Sequence, residues 1–316
     1  MDDTKALTVV SLEEQLQHAA ELAADALSPN TQRAYRSDFN QFTTWCTQQK
    51  LDPLGCTPEL ICAYLASMTE ELKTSTISRR LTAIGQAYEL AGKDNPAHHP
   101  TVRKVMQGIR RTYGKRQEGV LPLMSEDILA MCDAIDSDGS ARSLRDEALL
   151  MIGFAGGFRR SELVGLHVED LQFRKQGVVV TIQQSKTDQE GEGRTFGIHR
   201  QAVHCPVHAI DKYLEIARIK TGPVFRPIDR HGNIKPKALT PQSVALIIKK
   251  YALLAGLDPK DYSGHSLRSG LATQAAMNGV SERIIMKTTG HKTTTMVRRY
   301  IRDGQMFDDN ASKSLF

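Results

Sequence analysis

Apolar residues recur at helical spacing through the first third of the chain, and this pattern limits its possible folds more than any bulk property does. Tyr35, Phe39, Phe42 and Cys46 fall at i, i+4, i+7 and i+11, one stripe on a helix of 3.6 residues per turn, with Arg33 and Arg36 off that stripe. Ile77, Leu81, Ile84 and Tyr88 repeat the spacing and leave Ser78, Arg79 and Arg80 pointing outward. Between the two, "CTPEL" supplies Thr57 as N-cap and Pro58 at the first helical position, ahead of Ile61, Tyr64, Leu65 and Met68. Upstream, "SLEE" reads as a capping box of Ser11 and Glu14, opening a segment with Leu12, Leu16, Ala19 and Ala23 on one face. "NPAHHP" interrupts the series, and a last helix is predicted from about Thr101. A helix with one apolar stripe must bury it against a neighbour, so four or five such helices on short loops specify a compact bundle.

That last helix carries the charge. From Thr101 to Gln117 stand Arg103, Lys104, Arg110, Arg111, Lys115 and Arg116 and no acid. A charge run is ordinarily a solvated face. This one has a single sign and joins Arg33, Arg36, Arg79 and Arg80 on neighbouring helices, which is the electrostatic footprint of phosphate binding. The formal net charge of +5 fits a polyanionic partner without requiring one. The five cysteines, Cys46, Cys56, Cys62, Cys132 and Cys205, are scattered without a C-x-x-C pair, so no disulfide framework or thiolate metal site is expected. No apolar run approaches the roughly 20 residues of a membrane span, and "MDDTKALTVV" lacks the regions of a signal peptide. A protein of the cytoplasm, without membrane attachment, is the expectation.

"GKRQEGVLPLMS" reads as a linker, after which the period changes. "SED" at 125 to 127 caps a helix, and Leu144, Ala148, Ile152 and Ala155 mark another. "GGFRRSELVGL" places two glycines before a fresh helical start. "GVVVTIQQSK" is short and β-branched, and is followed by the polar "TDQEGEG" and by "RTFGIH", a predicted hairpin with Lys186 where the strand enters the turn. Thr240 and Pro241 open a helix through Val244, Ile247, Ile248 and Tyr251. From there the chain reads as helical to Tyr300, with breaks at Gly279 and Gly290.

Taken singly, the chemistry-bearing residues have ordinary explanations. Arg159 and Glu162 fit an intrahelical ion pair, and Lys186 fits a surface turn. His265 and Arg268 lie one helical turn apart, so both heads can reach one point. His291 follows Gly290 as a helix-terminal histidine would, and Tyr300 fits the aromatic end of a core stripe. No carboxylate or histidine cluster has ligand spacing, which speaks against a metal site and a metal-dependent nuclease. No loop offers a nucleotide-phosphate motif.

Their joint order is the informative feature. Arg159 with Glu162, Lys186 in a hairpin, His265-x-x-Arg268, Gly290-His291, and Tyr300 nine residues later resemble the tyrosine recombinase (phage integrase) family over nearly the whole chain. "GFRRSELVGLHVEDL" is similar to its first arginine box, "SGHSLRSGLAT" to its H-x-x-R box and "IIMKTTGHKTTTMVRRYIR" to its last box. "YSGHS" and "YIR" resemble Cre-like members; "GFRRSELVGL" and His291 resemble Xer-like ones.

The resemblance implies a mainly α fold in two domains. Residues 1–115 would form a core-binding, SAM-like helical bundle and 116–123 a linker. Residues 124–303 would form an α+β catalytic domain with a small antiparallel sheet, and 304–316 a tail docking in a neighbouring protomer. It implies Tyr300 as nucleophile, Arg159, Arg268 and His291 around a phosphate, Lys186 as general acid, His265 as proton acceptor and Glu162 in support. It also implies no cofactor, and a homotetramer on double-stranded DNA with an inverted-repeat site, with no separate arm-binding domain ahead of the bundle. A type IB topoisomerase-like strand transferase and a non-catalytic, recombinase-derived DNA-binding accessory protein remain as alternatives.

Overall fold

The computed structural model describes residues 15, 27–114, 120–183, 193–291, 293–295, 297, 298 and 300. The chain divides into two compact units, Met1–Gln117 and Glu118–Phe316. The expected capping box at Ser11 and Glu14, the cations Lys115 and Arg116, Lys186, and the tail 304–316 lie outside the described residues.

In the first unit, α1 (Pro29–Gln48), α2 (Pro58–Ala66), α3 (Thr74–Leu90) and α4 (Pro100–Tyr113) are joined by short turns, with a 3-10 turn at Pro96–His98. Proline occupies the start of α1, α2 and α4, where its missing N–H costs nothing. Ser28 Oγ accepts from Thr31 N and Asn95 Oδ1 from Ala97 N, capping their helices. Thr57 holds the predicted N-cap position without a side-chain bond to the helix backbone. The stripes meet as expected: Phe42, Cys46, Ile61, Leu65, Ile77, Ile84 and Val102 are buried, and the Phe42 and Tyr64 rings lie 4.9 Å apart.

One acid alters the expected arrangement of arginines. Asp38, beside the apolar stripe of α1, is 3% exposed. A carboxylate so placed requires a cation, and Arg79 supplies two bonds, Nε at 2.6 Å and Nη2 at 3.1 Å. Arg80 is therefore not an outward residue. Its Nε lies 3.8 Å from Asp38, its Nη1 donates to Tyr64 Oη at 3.2 Å, and its stem lies along the bundle. Arg79 is exposed over half its side chain, but its guanidinium is committed to Asp38.

The second unit comprises α5 (Ser125–Asp133), α6 (Ala141–Ala155), α7 (Arg160–Val164), β1 (Leu171–Arg174), β2 (Gly177–Ile182), β3 (Arg194–His199), α8 (Pro206–Ile216), α9 (Pro241–Leu254), α10 (Ser266–Met277) and α11 (Glu282–Thr289). The sheet is antiparallel in the order β1-β2-β3, one strand more than the predicted hairpin, because Leu171–Arg174 pairs with β2. Ser125 is the first residue of α5 and not its cap; Asp127 Oδ2 accepts from Met124 N at 2.8 Å. Residues 255–265 are turn and loop where helix was expected. Pro259 disfavours helix at Asp258, whose Oδ1 accepts instead from Lys260 N. Val178, Val180, Ile182, Phe196 and Ile198 on the sheet pack with Leu149, Ile152, Ile210, Tyr213 and Ile248 in one core. Among the described residues, no helix is long and apolar enough to cross a membrane.

The Asp38 network yields a direct test. Asp38→Ala should destabilise the first unit by about 1.5–3 kcal/mol, the value of hydrogen bonds to a charged group, and Arg79→Ala by less, because Arg79 is half in solvent. Urea unfolding followed by fluorescence of Trp45, the single tryptophan, reads out this unit.

Candidate active site

The Arg159-x-x-Glu162 spacing has a local cause. α6 ends at Gly156, and Gly157 turns the chain with φ of 55°, a conformation that side chains rarely adopt. Arg159 is then the N-cap of α7 and Glu162 its third residue, the positions at which a carboxylate reaches back to the N-cap N–H. Glu162 Oε2 accepts from Arg159 N at 2.9 Å, while Oε1 lies 2.5 Å from Arg159 Nη1. The cap and the ion pair are one arrangement. Glu162 is 5% exposed.

A third guanidinium, absent from the sequence reading, completes it. Arg194 opens β3 and donates through Nη2 to Glu162 Oε2 at 2.9 Å. Its Nη1 donates to the Thr288 carbonyl, and its guanidinium lies 4.9 Å from the centre of the Phe196 ring. Alternation in "RTFGIH" carried the signal, since Arg194 shares a strand face with buried Phe196 and Ile198. Arg194 is paired with Ile182 across the strands, at the end where residues 184–192 connect them. Lys186 belongs to that connection and lies outside the described residues.

The H-x-x-R pair sits at the start of α10, with His265 as N-cap. Arg268 is 1% exposed and donates through Nη1 to the Gly157 carbonyl at 2.9 Å, which ties α10 to the turn preceding Arg159. Its Nη2 is buried with no hydrogen-bond partner. Burial, then Arg159, lowers the Arg268 guanidinium to about 10. His265 Nε2 lies 3.0 Å from Tyr300 Oη. Partial burial, and then Arg268, Arg159 and Arg160, hold the His265 ring below the usual histidine range.

His291 and Tyr300 close the site. Gly290 ends α11 in the left-handed conformation, φ 67°, and the chain then turns His291 inward to 7% exposure. Its Nδ1 is 2.7 Å from Thr289 Oγ1, and its Nε2 is buried without a partner. Burial, followed by Arg268, Arg159, His265 and Arg194, pushes the imidazole down to about 3. Tyr300 is half-buried on helical backbone, packed against a small cluster of Ala272, Ala276, Ile285 and Val297. Its ring is 6.0 Å from that of His291.

The structure thus brings together Arg159, Glu162, His265, Arg268, His291 and Tyr300, and adds Arg194. Arg159 and Arg194 share the Glu162 carboxylate, and three buried nitrogens of the site, Arg194 Nε, Arg268 Nη2 and His291 Nε2, have no hydrogen-bond partner among the described residues. In the first unit, Arg33, Arg36, Arg103, Lys104, Arg110 and Arg111 are exposed. Val102, Met106 and Ile109 face the core on the opposite side of α4, and Arg110 Nη2 reaches Ser78 Oγ on α3 at 3.2 Å.

Comparisons with known proteins identify the family. Residues 122–305 match the phage integrase family, and residues 17–93 match the phage integrase N-terminal SAM-like domain. The integrase/recombinase xerD homolog of Selenomonas ruminantium is 42% identical over 292 residues, covering 91% of this chain and 85% of that protein. The tyrosine recombinase XerD of Proteus mirabilis is 28% identical over 288 residues, covering 87% and 83%. In fold, the chain is similar to the Tn1549 transposon integrase in complex with transposon right end DNA, with a TM-score of 0.64 and 16% identity over 94% of this chain and 96% of that one. It is also similar to the XerH site-specific recombinase bound to palindromic difH substrate, with a TM-score of 0.61 and 16% identity over 83% and 73%. The mainly helical fold with a small antiparallel sheet is that of these enzymes. The chain belongs to the phage integrase family and is an enzyme of the tyrosine recombinase class.

Removing the shared carboxylate should leave two cations without a counter-charge. Glu162→Gln is expected to destabilise the second unit by roughly 3–5 kcal/mol. Inorganic phosphate should raise the thermal midpoint of this variant more than that of wild type, because the anion then neutralises what Glu162 did. Calorimetry with and without phosphate measures both effects.

Proposed function

We propose that the chain is a site-specific recombinase of Xer type, acting in the cytoplasm on double-stranded DNA with an inverted-repeat site. The observation that carries the reading is the Tyr300 hydroxyl, 3.0 Å from His265 Nε2 at the edge of a site lined by Arg159, Arg268 and His291. Tyr300 Oη attacks the phosphorus of one phosphodiester and gives its proton to His265. The bond from phosphorus to the 5′ oxygen breaks, leaving a 3′-phosphotyrosine. Lys186 protonates the departing oxygen, a contribution of about 10²- to 10⁴-fold. Arg159 and Arg268 are preorganised cations that hold the non-bridging oxygens as charge builds on them in place of a metal ion, and His291 adds a third contact. Glu162 orients Arg159, and Arg194 holds Glu162 in turn. The ester retains the energy of the broken bond. Attack by the 5′ hydroxyl of a partner strand therefore needs no ATP, and the first pair of exchanges gives a Holliday junction.

Around this chemistry, residues 1–115 serve as the core-binding domain, 116–123 as linker, 124–303 as the catalytic domain and 304–316 as a tail. Arg33, Arg36, Arg103, Lys104, Arg110, Arg111, Lys115 and Arg116 supply phosphate contacts. Arg79 and Arg80 do so only secondarily, since both are engaged with Asp38. Met306, Phe307, Leu315 and Phe316 in the tail are large apolar groups, each worth roughly 1.5–3 kcal/mol when buried. A cavity of about 590 Å³ lined by Ile128, Met151, Phe154, Leu271 and Ile285 offers a neighbouring protomer's tail a place to dock. That exchange would link a homotetramer.

Tyr300→Phe should bind DNA from the flanks of its own gene with unchanged affinity and form no SDS-resistant adduct, while wild type forms the adduct in EDTA. An adduct from the variant, or activity that only magnesium restores, would overturn the mechanism. Truncation after Asp303 should preserve binding to one half-site and abolish cooperative binding to a full site. Gel shift against wild type measures the difference.

A further inference from the structure

Thr289 is fully buried, and its hydroxyl has two neighbours, the Ile285 carbonyl at 2.7 Å and His291 Nδ1 at 2.7 Å. A hydroxyl has one proton to give. The carbonyl can only accept, so at that separation the Thr289 proton lies on the bond to Ile285, the usual back-bond of a helical threonine. Donation to His291 instead would set two oxygen acceptors against each other. Thr289 Oγ1 therefore accepts, and His291 Nδ1 must carry a proton. The neutral imidazole has only that one, which leaves a bare lone pair on Nε2, the buried nitrogen with no protein partner.

We propose that Thr289 is a positioning residue that fixes His291 as the Nδ1–H tautomer, so that His291 can hold a phosphate oxygen only after Nε2 takes up a proton from solvent. The proposal rests on the reading of His291 as a phosphate contact. A phosphodiester offers acceptors alone, and an acceptor facing Nε2 as a lone pair is repelled. The imidazolium is opposed by burial and by Arg268, Arg159, His265 and Arg194; among the described residues Glu162 pairs with Arg159 and Arg194, and Tyr300 lies alongside. An arriving anion offsets part of that positive charge and accepts a hydrogen bond from the protonated ring, and both raise the His291 value above that of the free site. Protonated His291 is then present at low pH and lost as pH rises through this raised value. On the order of one proton enters per occupied site.

The test is nitrogen NMR of the full chain with labelled histidines, assigned with His291→Gln, between pH 6 and 8 with and without dimethyl phosphate, a diester whose oxygens only accept. Wild type should show neutral Nδ1–H in the free chain and protons on both nitrogens with the diester. Thr289→Val, close in shape but lacking the hydroxyl, should move the free ring to Nε2–H, which donates while neutral, and lose the diester-linked uptake. Thr289→Ser, which keeps the hydroxyl, should retain the wild-type pattern and serves if the valine variant does not fold. A free wild-type ring protonated on Nε2, uptake unaltered in Thr289→Val, or a wild-type spectrum that the diester leaves unchanged would overturn the proposal. The adduct assay on Tyr300 is independent of this readout. Its failure would remove the strand-transfer mechanism and leave the tautomer result standing.

Discussion

One carboxylate organises the catalytic half of this molecule. Glu162 caps its own helix, pairs with Arg159 and holds Arg194. Through Arg194 it is connected to the Thr288 carbonyl and so to the turn that presents His291. Three segments far apart in sequence are tied by bonds whose partners would repel one another without it. Guanidiniums grouped this closely raise each other's cost, and Glu162 offsets part of it.

The first unit solves a smaller version of the same problem. Asp38 is buried beside the α1 stripe and draws both Arg79 and Arg80 of α3 inward. These ion pairs tie α1 to α3 beside their apolar contact. Arginines that a helical wheel assigns to solvent are thereby withdrawn in part from the outer face, while Arg33, Arg36, Arg103, Lys104, Arg110 and Arg111 on α1 and α4 are exposed.

Much of this was legible in the sequence. The helical stripes located α1 to α3, because a period of 3.6 needs only local information, and the break at "NPAHHP" located the start of α4. The joint spacing of Arg159, His265, Arg268, His291 and Tyr300 identified residues that the fold does bring together. What was not legible depends on pairing at a distance. Asp38 reads as a solvent residue until Arg79 is placed opposite it, and Leu171–Arg174 is too short to register as a strand without β2. Arg194 could have been inferred from strand alternation. Thr289 could not, because its role lies in which of two neighbours receives one proton. Helix was expected through 255–265, where Pro259 and an aspartate turn prevailed over an apolar run.

The position of Tyr300 has a further consequence. Its segment rests on Ala272, Ala276, Ile285 and Val297, a cluster separate from the main core beneath the arginines. Ala272 and Ala276 belong to α10, which also carries Arg268, and Ile285 belongs to α11, which leads to His291. A methyl removed from this small cluster would loosen the seat of the Tyr300 ring while the main core kept its packing.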